Sequence, residues 1–294
     1  MSFPGSPANR VGICSWSLRS GSSGELAQRV RKLALGHVQL ALDPIREHRD
    51  GWGEVETLNA LRRAGIVAVS GMMAMIGEDY STLETIKLTG GVREDAAWDE
   101  NLRACEGNAR LARRLNIPLV TFHAGFIPHE RGRGRDTMID RLRMLTDRFD
   151  DHGIRVAFET GQETADTLVD ALDELDRPHA GINFDPANMI LYGMGDPPPA
   201  AALARLAHRV VQVHIKDATP TSTPGTWGTE VRAGSGAVDW KAFVKAFRAA
   251  GLAADLVIER ESGENRDADI AAAVELLARH GYGSSVSGGG PWHE

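Results

Sequence analysis

Four residues that commonly bind metals or move protons each end a short apolar run in the second half of this 294-residue chain. The runs span residues 156–159, 182–185, 210–214 and 256–259, and they end in Glu159, Asp185, His214 and Glu259. If the runs are parallel strands of one sheet, their ends meet at one edge and the four side chains converge. Three carboxylates this close would repel one another without a cation, so the pattern predicts a metal site.

The donor set narrows the choice of metal. Carboxylate oxygens and one imidazole suit Mn²⁺, Mg²⁺, Co²⁺ or Zn²⁺, and the absence of a thiolate argues against a purely structural zinc site. We therefore expect one divalent metal ion, with Mn²⁺ as the first choice. Taken singly, each residue has a simpler explanation, such as a helix N-cap for Asp185 or a hydrogen-bonded core histidine for His214.

The elements that must position these residues alternate along the chain. Short β-branched runs predict eight strands, at residues 11–16, 37–42, 66–69, 119–122, 155–158, 181–184, 210–213 and 256–258. Between them, apolar residues recur with the period of a helix that has one apolar face. Eight strand–helix units predict an α/β fold, a single-domain (β/α)8 TIM barrel. A doubly wound open sheet is the alternative, disfavoured because no GxGxxG turn follows the first strand.

The predicted barrel spans residues 11–282. Residues 1–10 are expected to form an N-terminal extension, and residues 283–294, rich in Gly and Ser, a flexible tail. Residues 71–96 and 218–238 are too long for simple strand–helix turns, and we expect them to cover a substrate at the catalytic rim.

Composition disfavours several classes of partner. The formal net charge of −7 argues against nucleic acid and anionic membranes. No apolar stretch resembles a signal peptide or a membrane span, and Cys14 and Cys105 lack CxxC spacing, so we expect a cytoplasmic protein with reduced, buried thiols. The basic residues Arg131, Arg133 and Arg135 are predicted to lie in a solvated loop, with a phosphate clamp as the weaker option.

Five motifs carry a resemblance to a known family over roughly residues 10–281. They read GICSWSL at 12–18, NFDPAN at 183–188, VHIKD at 213–217, GSGAVDW at 234–240 and VIERE at 257–261. The chain resembles the xylose isomerase-like TIM-barrel family of sugar phosphate isomerases and epimerases. That resemblance implies one divalent metal held by Glu159, Asp185, His214 and Glu259. It also implies that Glu159 and Glu259 act as the acid/base pair, and that the protein is a homo-oligomer.

The implied chemistry is proton transfer next to a carbonyl. A divalent ion chelating a keto-sugar would stabilise an ene-diolate and make the adjacent proton removable. We therefore expect an isomerase or epimerase acting on a small-molecule sugar, sugar phosphate or keto-polyol.

Departures from the family pattern keep alternatives open. Many family epimerases have a histidine where this chain has Asn188, whose amide cannot shuttle a proton. A lyase or dehydratase that eliminates water or an aglycone from a keto-sugar or 3-keto-glycoside is one alternative, and a sugar-binding barrel without turnover is another. A DNA-repair role like that of the AP endonuclease branch is not expected, because the extra zinc ligands of that branch are missing.

Further residues are predicted to contact the substrate. His123 follows the fourth strand and is a candidate base or substrate ligand, with a simple rim hydrogen bond as the alternative. Lys216 and Asp217 follow His214 directly, and we expect one to contact the substrate while the other orients a neighbour. Glu261 lies two residues beyond Glu259, on the same side if the strand continues. The remaining candidates are Asn188, Arg232 as an anion ligand, and Trp16 as a sugar-stacking wall or a core residue.

Overall fold

A computed structural model describes residues 9–161 and 163–283. Eight parallel strands close into a barrel in the order β1-β10-β7-β6-β5-β4-β3-β2, and β8 and β9 form a separate antiparallel pair. The strands are β1 Val11–Cys14, β2 His37–Ala41, β3 Val67–Met72, β4 Leu119–Phe122, β5 Arg155–Glu159, β6 Ala180–Phe184, β7 Val210–Ile215, β8 Asp217–Thr219, β9 Thr229–Val231 and β10 Asp255–Ile258. The predicted (β/α)8 barrel is confirmed.

Helices cover the outside of the barrel. In the described part of the chain they are α1 Ser23–Lys32, α2 Asp43–Arg46, α3 Glu54–Ala64, α4 Leu83–Thr89, α5 Trp98–Arg114, α6 Arg133–Asp150, α7 Ala165–Leu175, α8 Pro186–Leu191, α9 Pro199–Leu206, α10 Trp240–Ala249 and α11 Arg266–Arg279. Their apolar stripes pack on the strands, as where the rings of Phe184 in β6 and Phe243 in α10 lie 5.8 Å apart. No helix among the described residues is both long and apolar enough to span a membrane.

All eight predicted strands are present, and their ends differ by a few residues. The first strand stops at Cys14 because Ser15–Leu18 turn into a 3-10 helix. The third strand continues to Met72. The last strand ends at Ile258, so strand alternation is not what positions Glu261, but Glu261 still lies on the same side as Glu259, because the Lys216 ammonium contacts both.

The two long segments contain regular structure that the sequence did not predict. Helix α4 forms within residues 71–96, and strands β8 and β9 form a hairpin across residues 217–231. The first eight residues of the expected N-terminal extension, and all but residue 283 of the expected tail, lie outside the described residues.

The basic stretch is engaged in structural contacts. Arg135 is buried in α6, where it donates to Glu174 Oε2 at 2.8 Å and to the Pro128 carbonyl at 2.7 Å. Arg131 remains exposed beside Glu174. Arg135 is thus already paired within the protein, which argues against a phosphate clamp formed by Arg131, Arg133 and Arg135. Both cysteines are free and buried, as expected.

Candidate metal centre

The four predicted ligands meet at the carboxyl end of the barrel. Glu159 ends β5, Asp185 follows β6, His214 lies in β7 and Glu259 follows β10. One ligand atom from each residue lies within 4.8 Å of the others, and all four side chains are buried. The parallel register produces this convergence, since β5, β6, β7 and β10 are neighbours in the barrel.

His214 faces all three carboxylates with the same nitrogen. Its Nδ1 lies 3.3 Å from Glu259 Oε2, 3.5 Å from Glu159 Oε1 and 3.7 Å from Asp185 Oδ2. On the other side of the ring, Nε2 lies 2.8 Å from Gln39 Oε1. Because an amide oxygen can only accept, this contact calls for a proton on Nε2, although Asn183 Nδ2 lies 3.1 Å from the same nitrogen. In the neutral ring, Nδ1 would then carry the lone pair that faces the carboxylates.

Asp185 divides its two oxygens between the backbone and the centre. Oδ1 caps helix α8 by accepting the backbone N–H groups of Ala187 at 2.7 Å and Asn188 at 3.0 Å. Oδ2 has no hydrogen-bond partner among the described residues, and neither has His214 Nδ1, although both atoms are buried. Buried polar atoms without partners are costly, and a cation between these two would satisfy both. The residues present therefore fit a divalent metal.

The two glutamates are held by different donors. Glu159 accepts from Asn188 Nδ2 at 2.8 Å on Oε1 and from Asn183 Nδ2 at 3.2 Å on Oε2. Glu259 accepts from Trp16 Nε1 at 2.8 Å on Oε1 and from Lys216 Nζ at 2.8 Å on Oε2. Glu159 thus has neutral amide donors, whereas Glu259 has a cation.

Mutual attraction shifts the proton affinities at the centre. Burial acts to lower the pKa of His214, but Glu259 and Glu159 outweigh it and hold that pKa well above its usual value. Burial acts to raise the pKa of Glu259, yet Lys216 and His214 bring it well below the ordinary range. Burial raises the pKa of Asp185. Without a metal, the imidazolium proton balances part of the carboxylate charge, and a metal ion would replace that proton.

A cavity of about 330 Å³ opens above the centre. Glu159 and Glu259 lie at its base, and the side chains above them come from the segments after β3, β4, β6, β7 and β10. The lining comprises Met72, Ala74, Glu78, Tyr80, His123, Glu159, Asn188, Leu191, Tyr192, Lys216, Trp227, Glu259 and Glu261.

Four of the predicted substrate contacts line this cavity, namely His123, Asn188, Lys216 and Glu261. His123 Nε2 lies 3.9 Å from Glu159 Oε1, and its Nδ1 has no hydrogen-bond partner among the described residues. Lys216 Nζ bridges Glu259 and Glu261 at 2.8 and 2.5 Å and lies 3.5 Å from Asn188 Oδ1. Trp16 lies beside the centre, where its indole donates to Glu259 and its ring meets His214 edge-on at 6.4 Å.

Two predicted contacts lie elsewhere. Asp217 is fully buried and accepts hydrogen bonds from the residue 234–240 segment, so it organises the chain after β9 and does not line the cavity. Of the two roles expected at Lys216 and Asp217, Asp217 takes the one of orienting a neighbour. Arg232 is exposed and donates to Ser235 Oγ at 3.3 and 3.4 Å, and it is not among the residues that line the cavity.

Sequence reasoning missed a buried polar layer beneath the centre. Gln39 Nε2 donates to Thr121 Oγ1 at 2.8 Å, and Ser70 Oγ donates to Gln212 Oε1 at 2.6 Å. Gln212 Nε2 in turn contacts Asn183 Oδ1 at 3.2 Å. The available signal was a polar residue inside an otherwise apolar strand. Glu78 and Tyr192, which also line the cavity, carried no comparable signal.

Comparisons with known proteins agree with the fold. A model of the family described as xylose isomerase-like TIM barrel matches residues 25–280. No functionally curated protein matches the sequence significantly. A xylose isomerase domain protein from Planctomyces limnophilus is 28% identical, with a TM-score of 0.80 over 94% of this chain and 97% of that one.

Two solved structures with lower identity share the fold. The probable 3-DHS dehydratase AsbF from Bacillus anthracis is 18% identical, with a TM-score of 0.70 over 92% of this chain and 98% of its own. A D-allulose 3-epimerase from Methylomonas sp., in complex with D-allulose, is 16% identical, with a TM-score of 0.70 over 95% of this chain and 99% of its own.

Proposed function

The chain belongs to the xylose isomerase-like TIM-barrel family, and we propose that it is a divalent-metal-dependent isomerase or epimerase of a sugar or keto-polyol. One observation carries the proposal. The buried atoms Asp185 Oδ2 and His214 Nδ1 have no hydrogen-bond partner among the described residues; they face each other at 3.7 Å among further carboxylates, beneath an open cavity. Related folds that act on sugars, such as the D-allulose 3-epimerase, support the substrate class.

Glu159, Asp185, His214 and Glu259 would hold the metal, with Mn²⁺ as the first candidate. A divalent ion bound there polarises a carbonyl oxygen and lowers the barrier to removing the adjacent proton. Glu159 and Glu259 then exchange protons with the substrate carbon, one taking a proton and the other returning one. General acid/base catalysis of this kind contributes about 10²- to 10⁴-fold in rate.

The remaining cavity residues position the substrate. Lys216 is held between Glu259 and Glu261, and burial, which acts to lower its pKa, is outweighed by these carboxylates, so the pKa is raised well above the usual value. It therefore stays charged and serves as a hydrogen-bond donor. His123 and Asn188 both lie beside Glu159, where they could form hydrogen bonds with hydroxyl groups of the substrate.

The different donors of the two glutamates favour elimination as a second candidate. Glu259 is paired with Lys216 and its pKa lies well below the ordinary range, which makes it a poor proton acceptor. Glu159 is bound by amides and has His123 nearby. Burial acts to raise its pKa, but His214 and His123 bring it below the usual value, less far than that of Glu259. Glu159 is therefore the better base of the two, and one base on this side and one acid at a leaving group would suffice for a lyase or dehydratase. The shared fold of the probable 3-DHS dehydratase supports keeping this candidate.

Deuterium exchange separates these roles. Protein loaded with Mn²⁺ is incubated in D₂O with a panel of ketoses, inososes and 3-keto-glycosides, and exchange at the carbon next to the carbonyl is followed by NMR. We expect Glu159→Gln and Glu259→Gln each to slow exchange by about 10²-fold or more. Glu275→Gln, an exposed change on α11, serves as the matched control.

The products then decide between the two candidates. A product of unchanged mass supports the isomerase or epimerase, and loss of water or an aglycone supports the lyase. Loss of exchange only in Glu159→Gln also favours the one-base route. Exchange that is unaffected by both substitutions contradicts the proton-transfer roles altogether.

A further inference from the structure

Three aromatic side chains meet at the outer part of the cavity. We call Tyr80, Tyr192 and Trp227 the aromatic wall; they come from the segments after β3, after α8 and before β9. The Trp227 ring lies 4.8 Å from Tyr192, edge to face, and 6.4 Å from Tyr80, at a tilt of 30°. All three line the cavity that contains Glu159 and Glu259. Three chain segments thus converge to present rings to one space.

The aromatic wall begins beyond the reacting position. His123 lies 3.9 Å from Glu159, and the Tyr80 ring is 6.4 Å from the His123 ring on the next step outward. The Trp227 ring lies next to the Tyr80 ring, so the rings of His123 and Tyr80 stand between it and the candidate ligand Glu159 along this series of contacts. A single sugar ring that reacts between Glu159 and Glu259 leaves this outer part for a further group.

Backbone contacts hold Trp227 in place. The adjacent Gly228 N–H donates to the Leu191 carbonyl at 3.1 Å. Glu230, in β9, accepts from the backbone N–H groups of Glu261 at 3.0 Å and Ser262 at 3.2 Å. The hairpin that carries Trp227 is thereby fastened to the segments after α8 and β10. A ring fixed in this way can bind a ligand without a large loss of side-chain entropy.

The indole of Trp227 has an unused donor. Its Nε1 is buried and has no hydrogen-bond partner among the described residues. Because this N–H has almost no accessible surface, a ligand in the cavity would meet the apolar part of the ring and not its donor. A flat apolar surface of this kind fits the face of a planar ring or of a second sugar ring.

The charges of the cavity select an uncharged ligand. Four glutamates, Glu78, Glu159, Glu259 and Glu261, line it, whereas Lys216 is already paired with two of them. No arginine is present among the described lining residues. A phosphate or carboxylate would meet these anions without a bidentate partner, so the cavity disfavours phosphorylated sugars.

We infer that the aromatic wall is a subsite for the second ring of an uncharged glycoside whose sugar ring reacts at the candidate metal centre. The placement of the reacting sugar rests on the proposed function, whereas the stacking of the second ring does not. The inference therefore narrows the substrate class from sugars in general to neutral glycosides with a planar or sugar aglycone.

Binding of matched glucosides to the Mn²⁺-loaded protein tests this by isothermal titration calorimetry. Phenyl β-D-glucopyranoside, methyl β-D-glucopyranoside and D-glucose 6-phosphate differ in the second ring and in charge. We expect the phenyl glucoside to bind about tenfold more tightly than the methyl glucoside, as stacking on more than one ring would give. The glucose 6-phosphate should bind more weakly than both.

Variants of the wall locate the effect. Trp227→Ala and, independently, Tyr80→Ala should each remove most of the preference for the phenyl glucoside over the methyl glucoside. Trp227→Phe keeps a ring without the N–H and should retain an intermediate preference. Trp52→Phe, in the loop before α3, is the control that removes an indole outside the cavity. Circular dichroism confirms that each variant is folded.

Several results would overturn the subsite. They are equal affinity for phenyl and methyl glucosides, absence of binding by either, a preference that survives in Trp227→Ala and Tyr80→Ala, or tighter binding of glucose 6-phosphate. These outcomes are distinct from those of the exchange experiment. Deuterium exchange on free ketoses without a preference for the phenyl glucoside would support the proposed function and contradict the subsite. A preference for the phenyl glucoside without deuterium exchange would support the subsite and contradict the proposed function.

Discussion

Two buried aspartates, Asp185 and Asp217, have the same side chain and opposite surroundings. Asp217 accepts five hydrogen bonds: Oδ1 from Ala218 and Val238, and Oδ2 from Gly234, Gly236 and the Trp240 indole. In Asp185, one oxygen accepts from backbone N–H groups, and the other faces His214 with no hydrogen-bond partner in the part of the chain that the structure describes.

This difference distinguishes a structural carboxylate from a binding one. Both carboxylate oxygens of Asp217 accept hydrogen bonds from N–H groups of the protein, so this side chain is already saturated and is not available to bind a ligand. At the metal centre the unfilled positions of Asp185 and His214 are concentrated in one place beneath a cavity. Buried carboxylates of equal exposure can thus be sorted by whether the protein itself completes their hydrogen bonds.

The largest expected effect comes from Asp185→Asn. The amide oxygen can still cap α8, but the side chain loses the charge that a divalent ion requires. We expect activity with Mn²⁺ to fall by about 10³-fold or more, with the melting temperature of the metal-free protein unchanged or raised, because like charges no longer face one another. Steady-state kinetics, metal analysis and thermal unfolding measure the three quantities.

Asp217→Asn is the matched control for that experiment. If the aspartates have the roles assigned here, the control should keep its metal content and lose stability. A drop in metal content in the Asp217 variant, with none in the Asp185 variant, would reverse the comparison.

Asp217→Ala should give the next largest effect, and it should act on stability. Removing the carboxylate leaves several buried N–H groups without acceptors, at a cost of about 3 to 5 kcal/mol in the free energy of unfolding. Urea unfolding measures the loss. Asp239→Ala, which removes only the α10 cap formed with the Ala242 N–H, should cost about 1 kcal/mol. Equal losses in the two variants would show that the Asp217 cluster is an ordinary cap.

The sequence predicted the candidate metal centre better than the closed cluster, by which we mean Asp217 and its five hydrogen-bond donors. The reason is physical. Glu159, Asp185, His214 and Glu259 each follow an apolar run, and a parallel barrel brings all such positions to one rim. Four of the five donors to Asp217 lie between 17 and 23 residues downstream, on a path set by the β8–β9 hairpin, which has no local signature.

Neighbouring residues show the same limit at close range. Lys216 and Asp217 are adjacent in sequence, and one was expected to contact the substrate while the other orients a neighbour. Successive residues along extended chain point to opposite sides, and the structure places Lys216 in the cavity and Asp217 in the closed cluster. The alternation was predictable, but which of the two would face inward depended on the end of β7. Gln39 and Gln212 were visible as polar residues in apolar strands and could have been identified.

Gln39→Leu should weaken the metal site without removing a ligand. The Gln39 oxygen fixes the His214 tautomer, and the loss of such an orienting contact typically lowers metal affinity by 10- to 100-fold. Competition with a fluorescent chelator measures the affinity of the variant. Ser70→Ala, in the same polar layer but without contact to His214, is the control. Unchanged affinity in Gln39→Leu would contradict the orienting role.

Metal affinity should also rise with pH. Because Glu259 and Glu159 hold the pKa of His214 well above its usual value, the imidazole is protonated in the metal-free protein, and binding must release that proton. The affinity should increase by up to about tenfold per pH unit below that pKa. Calorimetry in buffers of different ionisation enthalpy should detect about one released proton. Binding without proton release would contradict the assignment of His214 as a ligand.

Glu163 is a third kind of buried carboxylate and provides the last and smallest test. It accepts from the Ile127 N–H at 3.3 Å, and burial raises its pKa to about 8, with Ile127 and His123 lowering it only in part. The unfolded chain releases this proton near pH 4.5 while the folded protein retains it, so the free energy of unfolding should fall as the pH rises from about 4.5 to 8.

Glu163→Gln keeps an acceptor for Ile127 and has no proton to release, so it should remove this decline. We expect the variant to be more stable than the wild type by roughly 1 to 3 kcal/mol at pH 8 and by much less at pH 5. Urea unfolding at both pH values measures the difference. An equal gain at both would mean that the effect arises from packing, whereas a gain confined to pH 8 would show that the protein leaves Glu163 neutral, in contrast to the roles argued for Asp217 and Asp185.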